Sequence, residues 1–237
     1  IIGGERRGHR LHFVDPRGDL RPSSDRMRET LFNWLQAELP GALVLDLFAG
    51  SGALGAEALS RGAGQALLVE KKRDRCADLS RQLTPLFGER VRVHCAEALK
   101  WLARCEERFD LVFIDPPYDL GLAAPACEAL EALGLLKPDA RIYVESRRHD
   151  AAPAVPESWE RLREKDGGDV RAAATVAAAR ALSTGADAGA AAALQSGVRR
   201  LRKDSVSGAH PEAPSDGGAV LGGGEGVRSA DREHSGR

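Results

Sequence analysis

The feature that most constrains this chain is a regular exchange of short apolar runs with helical stretches between Ala42 and Glu145. Ala42–Leu47, Ala66–Glu70, Val91–Cys95, Leu111–Asp115 and Ala140–Glu145 have the length and texture of strands buried on both faces. Between them lie helical stretches: Ala53–Leu59, closed by Gly62; a face of Cys76, Leu79, Leu83 and Leu86; a segment through Leu99 and Leu102; and Pro125–Leu133. Strands spaced by helices cannot pair as hairpins, so the pattern predicts βαβ units, a parallel sheet and an α/β fold. Ahead of this block, Pro22, Ser23, Ser24 and Asp25 mark a helix start, and Met27, Leu31, Trp34 and Leu35 make one apolar face. Residues 1–20 place Gly3, Gly4, Gly8 and Gly18 among short β-prone pieces (Arg10–Val14), which predicts a small hairpin-like β appendage.

Open sheets of this kind bind ligands at the carboxyl ends of their strands. Those ends carry Asp46, Glu70, Glu97 (just past the third run) and Asp115. Any one acid there could cap a helix. Four on one edge, beside a glycine loop, point instead to a bound cofactor rich in donors. The loop runs Asp46-Leu47-Phe48-Ala49-Gly50-Ser51-Gly52-Ala53-Leu54-Gly55, and its Gly50, Gly52 and Gly55 fit G-x-G-x-x-G. Glu70 lies 18 residues past Gly52, where a carboxylate can accept both hydroxyls of a ribose. A nucleoside cofactor is therefore expected, and NAD or S-adenosylmethionine would fit. Asp46 favours the second, because a carboxylate ahead of the glycines suits a cationic methionine part and repels a pyrophosphate. Glu97 is the expected acceptor near the adenine.

Asp115-Pro116-Pro117-Tyr118 ends the fourth run. Two consecutive prolines make a stiff, extended turn without N–H donors, so the loop offers carbonyls and one carboxylate as acceptors. Methylation of an exocyclic amine needs that. Hydrogen bonds accepted by the Asp115 carboxylate and the Pro116 carbonyl would turn the amine lone pair toward a sulfonium methyl. Tyr118 would stack on the base, which must leave its own stack to arrive. This chemistry requires no metal.

With these segments in view, the sequence resembles the RsmD-type methyltransferases, bacterial enzymes that make N2-methylguanine in small-subunit (16S) ribosomal RNA. The matching stretches are Ile1–Gly4, Leu20–Leu35 (LRPSSDRMRETLFNWL), Val44–Gly62 (VLDLFAGSGALGAEALSRG), Phe109–Tyr118 (FDLVFIDPPY) and Ile142–Glu145 (IYVE). The resemblance covers about residues 1–165. It implies a Rossmann-like class I fold with a seven-stranded, mostly parallel sheet, helices on both faces and a reversed final strand. It also implies S-adenosylmethionine as methyl donor and rRNA as acceptor. Carried onto this chain, the cofactor residues are Asp46, Phe48, Gly50, Gly52, Glu70 and Glu97, and the target-base residues are Asp115, Pro116, Pro117 and Tyr118. Two places depart from the pattern. Gln82 stands near where Asn is common, and Lys165–Ala181 is poor in large β-formers, which leaves the last two strands weakly signalled.

The chain's net charge is only −1, so any basic surface must be local. Residues 1–28 hold seven arginines against four acids, and Arg7, Arg10, Arg21, Arg26 and Arg28 are the expected RNA contacts. Arg26 and Arg28 could instead pair with Glu29 or Asp25. From Ser183 to Arg237 the chain is mostly Gly, Ala, Ser and charge, and reads as a disordered tail or an aberrant extension. The expected layout is a 1–22 RNA-binding appendage, a 23–182 methyltransferase domain and a 183–237 tail. Four cysteines without C-x-x-C spacing, a charged start and no apolar run of about 18 residues suggest a cytoplasmic protein with no metal and no membrane partner. The first residue is not Met, so a preceding segment is expected. The expected partner of this monomer is small-subunit rRNA, free or in an assembling particle. Alternatives are a DNA or other RNA amino-methyltransferase (adenine-N6 or cytosine-N4) and, less favoured, an NAD-dependent oxidoreductase.

Overall fold

The computed structural model describes residues 1–12 and 25–177. Helix α1 (Asp25–Trp34) precedes an alternation of β1 (Leu43–Asp46), α2 (Ala53–Ser60), β2 (Gln65–Glu70), α3 (Arg73–Phe87), β3 (Val91–Cys95), α4 (Ala98–Leu102), β4 (Phe109–Ile114) and α5 (Ala123–Ala132). Three strands follow: β5 (Leu136–Arg147), β6 (Trp159–Gly167) and β7 (Val170–Ala177). They form one seven-stranded sheet in the order β3-β2-β1-β4-β5-β7-β6. β1 to β5 are parallel, and β7 runs antiparallel to both β5 and β6.

Helices cover both faces, which is why the inner strands read as unbroken apolar runs. On one face Val44, Leu68, Leu111, Phe113 and Tyr143 pack with residues of α1, α2 and α3. On the other Leu45, Leu67, Val112, Ile114 and Val144 pack with α4 and α5. Successive strand residues thus divide between two cores, as the period of two demands. The expected face holds at Met27 and Leu31 of α1 and at Leu35 just past its end, all buried. Trp34 is instead half-exposed under Arg163, and Phe32 takes the deep position, its ring 5.8 Å from that of Phe113. The sheet order reverses between β1 and β4, so the crevice of this architecture opens at the carboxyl ends of those two strands.

The expected β appendage is corrected over residues 1–12, which contain a 3-10 turn (Gly4–Arg6) and no strand. Side chains of α2 and α3, rather than a partner strand, take up its backbone groups. The Ile2 and Gly3 amides donate to the two Glu57 carboxylate oxygens at 2.7 and 2.8 Å. The Arg6 amide donates to Ser60 Oγ at 2.9 Å, and the His12 amide to Gln82 Oε1 at 2.6 Å. Gly4 sits at φ 75°, and a Cβ there would lie 1.8 Å from the Ser60 carbonyl oxygen, so only glycine allows this approach. Phe13 and Val14, the Pro22–Ser24 helix cap, Arg21 and the 183–237 tail lie outside the described residues.

Candidate active site

β1 delivers Asp46 to the crevice, and its side chain is 2% exposed. Asp46 Oδ2 accepts the Gly55 amide at 3.0 Å across the glycine loop. Burial pushes its carboxyl up to about 7, aided by the nearby Glu70 and Glu145 charges and opposed by the Gly55 hydrogen bond. Among the described residues, no cation pairs with this carboxyl. The loop between it and α2 is built for close approach. Gly52 caps α2 in the left-handed region (φ 72°), and a Cβ there would meet Leu79 Cδ2 at 2.5 Å.

β2 delivers Glu70, whose Oε2 accepts the Gly50 amide at 3.0 Å and whose Oε1 accepts the Lys72 amide at 2.8 Å. Each carboxylate oxygen has a second lone pair, so these bonds pre-orient Glu70 and leave it able to accept from a ligand. Phe48 is half-buried and packs on the α4–α5 side of the sheet. Glu97 follows β3 at the start of α4, is exposed and pairs with Lys100 Nζ at 3.1 Å.

β4 ends at Ile114, and Asp115 turns into the crevice beside Asp46 and Glu145. Pro116 is buried and Pro117 exposed, with Pro117 extended at φ −54° and ψ 123°. A 3-10 turn, Tyr118–Leu120, follows. Arg147, at the end of β5, lies over the Tyr118 ring at 5.6 Å, and its Nη2 pairs with Asp119 Oδ1 at 2.6 Å. The stiff turn therefore has a cation behind its aromatic ring.

Sequence reasoning missed two residues here. Tyr143 and Glu145 lie on one face of β5, are 1% and 2% exposed, and are joined by a 2.5 Å hydrogen bond from the Tyr143 hydroxyl to Glu145 Oε1. The parallel register of β4 and β5, with Ile114 opposite Val144, brings Glu145 beside Asp115. Burial, then the Glu145 and Asp46 charges, hold the Asp115 carboxyl well above the usual range. Burial and Glu145 likewise raise the Tyr143 phenol. The available signal was the acid ending IYVE, the same ending that marked Glu70 and Asp115.

Beside the glycine loop, a cavity of about 430 Å³ is lined by His9, Arg10, His12, Arg28 and Ser51. Of the expected RNA contacts, Arg10 and Arg28 face this cavity, and Arg7 and Arg26 are exposed. Arg28 Nη2 pairs with Asp25 Oδ1 at 2.7 Å, the alternative the sequence had left open, while its Nε is buried without a hydrogen-bond partner among the described residues.

A family model described as conserved hypothetical protein 95 matches residues 1–176. The ribosomal RNA small subunit methyltransferase D of Escherichia coli K12 is 45% identical over 170 residues, spanning 72% of this chain and 85% of that protein. Its Haemophilus influenzae namesake is 40% identical over 174 residues, 72% of this chain and 89% of that one. The solved structure of a methyltransferase candidate from Escherichia coli superposes with a TM-score of 0.71 at 42% identity, covering 76% of this chain and 98% of the other.

Proposed function

The chain belongs to the conserved hypothetical protein 95 family and is an RsmD-type methyltransferase, and from that premise we propose that it methylates the exocyclic N2 amine of a guanine in small-subunit (16S) rRNA, with S-adenosylmethionine as donor. Its architecture is the Rossmann-like class I methyltransferase fold, with only β7 reversed. The observation that carries the reading is the convergence of Asp46 and Asp115 at the switch point, one carboxyl before the glycine loop and one before the diproline turn.

The crevice suits the proposed donor. A buried carboxyl without a counter-cation fits a methionine ammonium and sulfonium, and a pre-oriented Glu70 fits a ribose diol. In this reading Asp46, Phe48, Gly50, Gly52, Glu70 and Glu97 hold the cofactor, which supplies an electrophilic methyl group. Asp115 and the Pro116 carbonyl accept the two N–H bonds of the amine and so aim its lone pair. Asp115 also stabilises the positive charge that grows on nitrogen. Tyr118, backed by Arg147, stacks on the unstacked base. Arg7, Arg10, Arg21, Arg26 and Arg28 provide phosphate contacts, with Arg10 and Arg28 at the cavity beside the loop. The working form is a cytoplasmic monomer that meets rRNA free or in an assembling particle.

The test is methyl transfer from labelled S-adenosylmethionine to small-subunit rRNA and to DNA, with the product nucleoside identified by mass spectrometry. N2-methylguanosine from rRNA, lost in Asp115→Ala with cofactor affinity retained, is the expected result. N6-methyladenine or N4-methylcytosine in DNA would overturn the substrate assignment. Loss of cofactor binding in Asp115→Ala would overturn its role at the base.

A further inference from the structure

We propose that Leu120 is a wedge that enters the RNA stack as the target guanine leaves it, filling the gap while Tyr118 holds the base. The proposal deepens the guanine-methylation reading and rests on it. A base that moves out of its stack into the crevice gives up contact with both neighbours, and the vacated space must be filled or it collapses. Proteins that unstack bases meet this need with an apolar side chain inserted between the steps, leucine among them. Such a residue must be large, apolar and free in solvent before RNA arrives. It must also lie next to the group that receives the base, on backbone that does not give way.

Leu120 has these properties. Among the described residues two large apolar side chains are exposed, Leu120 at 60% and Leu162 at 44%. Lone exposed leucines are common on protein surfaces, so exposure by itself points to nothing. Position separates the two. Leu162 lies on the edge strand β6, three strands along the sheet from β4. Leu120 ends the 3-10 turn Tyr118–Leu120, two residues past the ring that stacks on the base in the proposed reading. Its partners are then the apolar faces of the two bases that flank the target guanine.

The turn that carries Leu120 is braced along its length. Pro116 and Pro117 stiffen its entry. The Leu120 amide donates to the Pro117 carbonyl at 3.1 Å, and the Gly121 amide to the Tyr118 carbonyl at 3.4 Å. Gly121 then turns the chain away in the left-handed region, at φ 59°. From β5, Arg147 holds the middle: its Nη2 pairs with Asp119 Oδ1 at 2.6 Å and its guanidinium lies over the Tyr118 ring at 5.6 Å. That pair also offsets the Asp119 charge, which would otherwise repel RNA phosphates. One arginine thus grips the stacking ring and the residue before the leucine, so Tyr118 and Leu120 move as one piece.

The test compares Leu120→Ala, Leu120→Met and Leu120→Asn in methylation of small-subunit rRNA, with cofactor affinity measured by calorimetry and stability by urea midpoint. Leu120→Ala should lower kcat by about tenfold, the scale of burying most of a leucine side chain. KM for rRNA should change less than about twofold, because phosphate contacts hold the RNA before the base moves. Leu120→Met, apolar and of similar volume, should recover most of the loss. Leu120→Asn, similar in size but polar, should stay as slow as the alanine variant. Cofactor affinity and urea midpoint should not move in any of them, since the side chain stands mostly in solvent. On a short single-stranded RNA carrying the same guanine, which has no helix to leave, the variants and wild type should run alike. A Leu120→Ala enzyme as fast as wild type on rRNA would overturn the proposal. Equal slowing on both RNAs would also overturn it, and would make Leu120 a brace of Tyr118 instead. Wild-type enzyme that makes no N2-methylguanine in any RNA would remove the underlying reading, so the two failures are distinguishable.

Discussion

Cofactor affinity should depend on pH through Asp46. Its carboxyl is pushed up to about 7 because it is buried, with the Glu70 and Glu145 charges near it. A cationic ligand binds the ionised form, so binding must first remove the proton that Asp46 keeps at lower pH. If only the ionised form binds, the apparent dissociation constant rises about tenfold per pH unit below 7. Between pH 7.5 and 5.5 affinity should weaken by about 25-fold, roughly 2 kcal/mol. Binding should also release about 0.9 proton at pH 6, and much less at pH 7.5. Isothermal calorimetry in buffers of different ionisation enthalpy measures both quantities at once. Asp46→Asn keeps an oxygen for the Gly55 amide but carries no titratable group, so its weaker binding should be nearly flat over this window. A wild-type affinity constant from pH 5.5 to 7.5, with heats independent of buffer, would refute the placement of Asp46 against the cationic part of the cofactor.

Three further outcomes follow from contacts in the structure. Glu57→Ala strands the Ile2 and Gly3 amides and the Arg61 guanidinium, all held by one fully buried carboxylate; denaturant unfolding should show a loss of about 3 kcal/mol. Glu70→Ala removes the proposed ribose acceptor and frees the Gly50 and Lys72 amides; cofactor binding should weaken by about 1–3 kcal/mol, read by calorimetry. Arg147→Ala removes the cation behind Tyr118 and the Asp119 pair; KM for rRNA should rise about two- to fivefold, the range for a partly exposed cation–π contact, with cofactor affinity unchanged.

The inner sheet was legible because its strands are buried twice. Val44 and Leu45 serve different cores, so both had to be apolar, and the run stood out. β6 gave no such signal, since it is the edge strand and only Trp159 of its residues is buried. β7 is buried but built of Ala172, Ala173, Ala174, Thr175 and Val176, where pairing with β5 and β6 on both sides overrides weak intrinsic preference. Over residues 1–12 the expected hairpin gives way to a docked 3-10 turn because the partners of this stretch lie far away in sequence. Glu57 looks like an ordinary helix acid until Ile2 and Gly3 dock on it from 55 and 54 residues away. Gln82, noted only as a departure from the family pattern, accepts the His12 amide and donates to its carbonyl. At the rim, Asp46, Glu70 and Asp115 were legible from the loops that follow them. Glu145 is followed by no such loop, and only the register of β5 against β4 brings it to Asp115.

The same rim sets stability against function. A buried acid whose carboxyl is raised in the folded state binds its proton more tightly there than in the unfolded chain. Folding is then favoured at low pH, and that advantage disappears as pH rises from the ordinary value of 3.8 to about 7. For Asp46 the change is about 4 kcal/mol if no other group relaxes, and Asp115 shifts in the same direction. Asp46→Asn escapes it while keeping the Gly55 hydrogen bond. Without cofactor, the variant should therefore gain stability relative to wild type progressively between pH 4 and 7, as read by urea midpoints. S-adenosylmethionine should shrink the variant's advantage at pH 7, because it binds the carboxylate-bearing chain more tightly and so stabilises it more. A variant that gains nothing over that pH range would mean that Asp46 is as well solvated as a surface acid, and the crevice would then exert no pull on a cation.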